Sequence, residues 1–185
     1  MSTQAITSEY QHSLTQGEHV EPHPGWHFPK PGPEHEWLQQ FVGEWKMAME
    51  GPMDPDKPTM KSKGTESVRS IDGLWIIAES KSTFMDKPTT SILTLGYDPD
   101  KKKYVGTWVS SCMTYLWKYK GSVDVAAKTL TLETEGPCPQ SPGKLSKFKE
   151  VMEVKSKDHR VFTSSMQGED GKWATIVTNN YRRKK

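Results

Sequence analysis

Residues 60–85, MKSKGTESVRSIDGLWIIAESKSTFM, read as two β-strands and the turn that joins them. Side chains change character at every second position, as on a pleated strand. Leu74, Ile76, Ala78 and Ser80 fall on one face, with Trp75, Ile77 and Glu79 on the other. Between the two runs stands Asp72-Gly73, a dipeptide that accepts the positive φ angles of a two-residue hairpin turn. The same pattern holds on both sides. Ten strand-like segments follow from period and turn chemistry, at residues 44–51, 60–71, 74–85, 89–97, 103–111, 114–124, 129–136, 145–155, 160–167 and 173–183. Asp170-Gly171 gives a second two-residue hairpin signal, and Asp98-Pro99-Asp100 starts another tight turn. Residues 137–143, PCPQSPG, form the one longer loop.

Connections this short leave no room for the crossovers that parallel strands need. The expected fold is therefore all-β, an antiparallel meander. An open sheet of ten strands would expose two unpaired edges, and closure removes them. A closed antiparallel barrel follows.

Ahead of the first strand, residues 34–42 (EHEWLQQFV) place Trp37, Leu38, Phe41 and Val42 on one stripe of a short helix, ended by Gly43. Residues 1–33 differ in kind. They hold five prolines, a single Lys30 and three acids, Glu9, Glu18 and Glu21. Their net charge is −2, against +4 for residues 34–185. No apolar period runs through them, so ordering them is not repaid by burial. Two regions are expected: an extended arm over 1–33, with Trp26 and Phe28 as contacts to the domain, and a barrel domain over 34–185.

Of the 185 residues, 33% are hydrophobic and 26% charged, enough to close one core. A net charge of +2 gives no field that would draw nucleic acid or an anionic membrane surface. No apolar run approaches the ~20 residues of a membrane helix. The opening MSTQAITSEY has no basic stretch followed by an apolar one, so no secretory signal is expected. Cys112 and Cys138 cannot make a disulfide framework, and the expected compartment is a reducing cytoplasm.

In a small barrel, inward and outward residues alternate along every strand. Tyr115, Trp117, Tyr119 and Gly121 share one face of their strand; Tyr104, Gly106, Trp108 and Ser110 share one face of theirs. Large aromatics thus stand beside hydroxyls and a carboxylate, the mixture expected of a ligand cavity. The same rings would equally fill a barrel core. Glu66, Glu79 and Glu150 lie mid-strand. Turned inward, such a carboxylate would have a raised pKa; turned outward, the reading preferred for each, it is merely solvated. Five histidines (12, 19, 23, 27 and 35) lie in or next to the Pro-rich arm, a poor frame for metal geometry, and His159 falls in a turn. No metal or other cofactor is expected. Cys112 has no base near it in the sequence to make a nucleophile.

Gly43-Glu44-Trp45, after the helix and opening the first strand, resembles the GxW signature of lipocalin-like (calycin) barrels. Lys63-Gly64-Thr65-Glu66, Asp72-Gly73-Leu74-Trp75, Leu95-Gly96-Tyr97-Asp98, Lys103-Tyr104-Val105-Gly106-Thr107-Trp108, Lys128-Thr129-Leu130-Thr131-Leu132 and Tyr181-Arg182-Arg183 follow in order. Together they resemble a bacterial lipocalin-like group, domain-of-unknown-function family fifteen-seventy-nine, over roughly residues 37–185. The resemblance implies that Trp45 plugs one barrel end against a basic side chain of the last strand, Arg183 or Arg182. It implies no reaction. Relatives often carry W-x-D where this chain has Trp108-Val109-Ser110, and an arginine where it has Lys149, which weakens any acid site inherited through those positions.

The expected function is binding of a small, mostly apolar molecule in the barrel, with Trp108, Trp117 and Tyr181 as walls and Glu79, Ser110 and Lys149 as polar anchors. Two alternatives stand beside it. One is a hydrolase or isomerase using a cavity carboxylate, and the other is a structural module that buries outer-face aromatics between subunits. Monomer and homodimer are both compatible with the sequence.

Overall fold

The computed structural model describes residues 27–185, so residues 1–26 of the expected arm, Trp26 included, lie outside the described residues. The barrel unit is Pro31–Lys185. It opens with a short helix, α1 (Pro33–Gln39), whose first turn carries Glu34 and Glu36. Acidic groups there complement the positive end of the helix dipole. His35 Nδ1 accepts the Gly32 backbone N–H at 3.1 Å, which satisfies one of the amides that a helix start leaves unpaired. Leu38 and, just beyond the helix, Phe41 are buried against the barrel end. The helix stops at Gln39, three residues before the expected limit. Gly43 does not cap it but begins the first strand, at φ +128°, with the Arg183 guanidinium occupying the place of a Cβ. No other residue fits that position.

Ten strands follow: β1 (Gly43–Gly51), β2 (Met60–Ile71), β3 (Trp75–Phe84), β4 (Lys87–Asp98), β5 (Lys103–Ser110), β6 (Trp117–Asp124), β7 (Thr129–Pro137), β8 (Leu145–Ser156), β9 (His159–Gln167) and β10 (Trp173–Arg183). Each pairs antiparallel with its sequence neighbour, and β10 returns to β1 to close the barrel. The seam runs from Trp45 opposite Arg183 to Glu50 opposite Thr178.

Asp72 and Gly73 both have positive φ, as the expected hairpin requires, and the Leu74 N–H donates to the Ile71 carbonyl at 3.0 Å. Asp170-Gly171 behaves differently. Only Gly171 is at positive φ, and the Gly168 N–H reaches the Lys172 carbonyl, making a five-residue loop rather than a two-residue turn. A tight turn also occurs where no glycine stands: Met85 (φ +48°) and Asp86 (φ +61°) join β3 to β4, with Phe84 paired to Lys87. Left-handed backbone costs a methionine more than an asparagine or glycine. Met85→Asn with Asp86→Gly is expected to raise stability by about 1 kcal/mol, read as a higher Tm in thermal unfolding.

Burial alternates along the strands and fixes which face looks inward. The inner set includes Trp45 and Met47 on β1, Glu66 and Val68 on β2, Ile76 and Ala78 on β3, Leu95 on β4, and Tyr104 and Ser110 on β5. Trp117 follows on β6, Leu130 and Leu132 on β7, Phe148 and Glu150 on β8, Arg160, Ser164 and Met166 on β9, and Asn179 and Tyr181 on β10. These side chains make two apolar clusters. One surrounds Trp45 and the residues beside α1; the other gathers Trp117, Phe148, Met166, Ile176 and Val177. Trp117 can lie close to β7 because Gly136 has no Cβ, which would otherwise collide with the indole ring.

Candidate functional site

Trp45 closes the α1 end. Its indole N–H donates to the Phe41 carbonyl at 2.8 Å, fixing the ring across the barrel. The Arg183 guanidinium carbon lies 4.2 Å from the ring centroid and that of Arg160 4.5 Å, both in cation–π range. Arg183 also donates to the carbonyls of Gln40 (2.9 Å), Val42 (2.7 Å) and Lys157 (3.0 Å). One side chain thus ties the α1–β1 connection to the β8–β9 turn. The expected Trp45–Arg183 contact is present.

A group of polar residues lies between the two apolar clusters, which meet through Tyr119 and Phe162. Along β8 Glu150 lies between the inward-facing Phe148 and Met152, along β9 Ser164 between Phe162 and Met166, and along β10 Asn179 between Val177 and Tyr181. Nearer α1, Arg160 and Glu66 form a buried ion pair, 3% and 6% exposed, and the Ser80 hydroxyl donates to the other Glu66 oxygen at 2.9 Å. Ser164 donates to Glu150 Oε1 at 3.0 Å, but Oε2 has no partner, nor have Asn179 Oδ1 and Arg160 Nε. Buried polar atoms are nearly always paired, so these three stand out in the barrel interior. Burial pushes the Glu150 carboxyl up to about 8, with the Ser164 bond opposing the shift. Desolvation also drives the Tyr119 and Tyr181 phenols upward, with the nearby carboxylates adding to it.

The outward reading preferred for the three mid-strand carboxylates fails for two of them: Glu66 and Glu150 face in. Each is in phase with the inner residues of its strand, Gly64 and Val68 or Phe148 and Met152, and that phase was the signal available in the sequence. Glu79 does face out. It is exposed and pairs with Lys81 at 3.0 Å. Lys149 also lies on the outer face, its ammonium 4.4 Å from the Trp173 ring centroid. Two of the three expected anchors therefore point away from the barrel interior. Ser110 is buried, but its hydroxyl is engaged with Cys112 Sγ at 3.1 Å and, more weakly, the Thr90 carbonyl. Trp108, Trp117 and Tyr181 do look inward. Trp117 packs edge-on to Trp108, Tyr115 and Phe148 in the cluster away from α1. His159 belongs to β9 rather than to a turn and faces Asn180 at 3.4 Å. Both cysteines are free thiols. Among the described residues no helix could cross a membrane, and no three His, Cys, Asp or Glu side chains converge.

A cavity of about 390 Å³ opens at the α1 end, outside anything the strand patterns indicated. Trp37, Gln40 and Phe41 come from α1 and its exit, Val125 and Lys128 from the β6–β7 turn, and Val154, Ser156 and Lys157 from the end of β8 and the turn after it. Trp45 and Arg160 form its floor. Three aromatic rings and three cations line it, with no carboxylate. Its volume lies within the range of small-molecule sites. A second concavity, about 680 Å³, is a groove on the outside of β1 and β2 lined by Glu50, Lys61 and Lys63 among others.

The barrel is similar to solved structures. The crystal structure of Rv2717c from M. tuberculosis aligns at a TM-score of 0.56 with 11% identity, covering 84% of this chain and 100% of that one. A redesigned β-barrel, mFAP1, bound to DFHBI, aligns at 0.42 with 15% identity, covering 80% and 99%. No curated protein matches the chain. The profile of a family described as protein of unknown function (DUF1579) matches residues 30–183, from just ahead of α1 to the closing Arg183, and the chain belongs to that family.

Proposed function

We propose that the protein binds a small, mostly apolar molecule at the α1 end of its barrel, within a reducing compartment. The observation that carries this reading is the 390 Å³ cavity walled by Trp37, Phe41 and Trp45. Aromatic rings give a ligand large contact area at low entropic cost, because they are already held in place. Trp45, 1% exposed and held by the Phe41 carbonyl and two guanidinium groups, gives the cavity a fixed floor, and the half-buried Trp37 ring is the wall open to a ligand. The catalytic alternative loses support, since Glu79 and Lys149 lie outside and no carboxylate lines the cavity.

The test uses a neutral fluorescent probe, N-phenyl-1-naphthylamine. Saturable binding of one dye per chain is expected, with the Trp37 and Trp45 indole N–H resonances shifting and that of Trp173 still. Val125 is exposed in a turn, so Val125→Trp can crowd the cavity without a folding cost, and it is expected to weaken the dye about tenfold. No saturable binding, or binding that leaves the Trp37 and Trp45 signals unmoved, overturns the reading.

A further inference from the structure

We infer that the ligand of this cavity is an anion: an apolar or aromatic body carrying a carboxylate, sulfonate or phosphate group. The inference rests on the binding reading above and adds a charge to it. Lys128 from the β6–β7 turn and Lys157 from the β8–β9 turn face one small volume with Arg160 on its floor, while the chain as a whole is nearly balanced at +2. Like charges gathered around a cavity repel one another, and a bound anion relieves that repulsion. Glu66 neutralises Arg160 beneath the floor, which leaves the positive charge of the cavity to the two lysines. Of the acids next to them in sequence, Asp124 accepts the Ala127 N–H inside its own turn and Asp158 lies 3.6 Å from Arg183. Neither Lys128 nor Lys157 has a carboxylate within 4.0 Å among the described residues.

Arg160 makes the arrangement specific. It is 3% exposed, its Nε–H has no acceptor, and its guanidinium is spread over Phe41, Trp45 and Tyr181 at 5.1, 4.5 and 4.4 Å. Glu66 cancels its charge, and the rings enclose it, so Arg160 serves as a rigid floor beneath the two rim lysines. The two lysines sit at the rim, exposed and long enough to close on a charged group from either turn. The geometry therefore asks for a molecule whose apolar part meets the three rings and whose anionic head lies among the cations.

Two dyes of similar aromatic body separate the charge from the cavity: 1-anilinonaphthalene-8-sulfonate, an anion, and the neutral N-phenyl-1-naphthylamine. The full chain is titrated with each, following dye fluorescence and the Trp37 and Trp45 indole signals. The sulfonate is expected to bind more tightly, and to weaken as salt screens the exposed lysines. Lys128→Glu with Lys157→Glu is expected to reduce its affinity roughly tenfold and leave the neutral dye within about twofold. Both lysines are exposed, so the double variant should fold normally. Equal affinity for both dyes, unchanged in the variant, overturns the anion and leaves the cavity reading intact. Failure of both dyes to move Trp37 and Trp45 removes both. A sulfonate that shifts Trp173 instead also overturns the inference.

Discussion

Arg160→Met is expected to destabilise the protein by roughly 3–5 kcal/mol in urea unfolding, while Glu66→Gln combined with Arg160→Met restores most of that loss. The asymmetry follows from burial. Glu66 is 6% exposed, and once its partner is gone its charge has no water to replace it. Methionine keeps the apolar contact with Trp45 and Tyr181 but supplies no charge. The amide oxygen introduced by Glu66→Gln can still accept the Ser80 hydrogen bond, so the double variant leaves a neutral, nearly satisfied pair. A single variant within about 1 kcal/mol of the parent would mean that water reaches the pair and that the cavity floor is not held by it.

The second large effect is on pH. The Glu150 carboxyl is pushed from 4.5 to about 8 by burial, so between those values the folded protein holds a proton that the unfolded chain releases. Stability from this group is then fully present below about pH 4.5, falls as pH rises through 8, and levels off beyond it. At ~1.4 kcal/mol per unit, the full swing is about 5 kcal/mol. Glu150→Gln keeps a neutral side chain able to accept the Ser164 hydroxyl. Its urea midpoint is expected to stay level between about pH 5 and 9 while the parent's falls, with the two converging at the acid end. Parallel curves for the two proteins would place an ionised, compensated carboxylate in the barrel.

Much of the architecture could be read from residues 60–85 and their like. The period of two, the short connections and Asp72-Gly73 lead to an antiparallel meander, and the seam from Trp45 to Arg183 matches what the GxW resemblance implies. Choosing the inward face was harder. On β3 both faces carry large apolar residues, Ile76 and Ala78 on one, Trp75 and Ile77 on the other. Only pairing with β2, which sets Ala78 against Val68 and Ile77 against Arg69, decides that Glu79 faces solvent. Glu150 was legible in principle, being in step with Phe148 and Met152, whereas Lys149 is in step with Lys147, Glu153 and Lys155 and with only Leu145 and Val151 as apolar residues. The cavity was not legible at all. Its lining comes from α1 and two turns roughly ninety and a hundred and twenty residues further on, and no local pattern registers a juxtaposition that exists only once the barrel closes.

That closure has a cost in time. Every pairing but one joins neighbours in the chain, so most of the sheet can zip hairpin by hairpin as it leaves the ribosome. The exception waits for the final eleven-residue strand, and until it arrives the first and ninth strands stand as bare edges. Through that interval the nascent chain is open to intermolecular pairing along those edges, and the guanidinium that arrives last, threading three carbonyls at once, converts an aggregation-prone ribbon into a sealed cylinder.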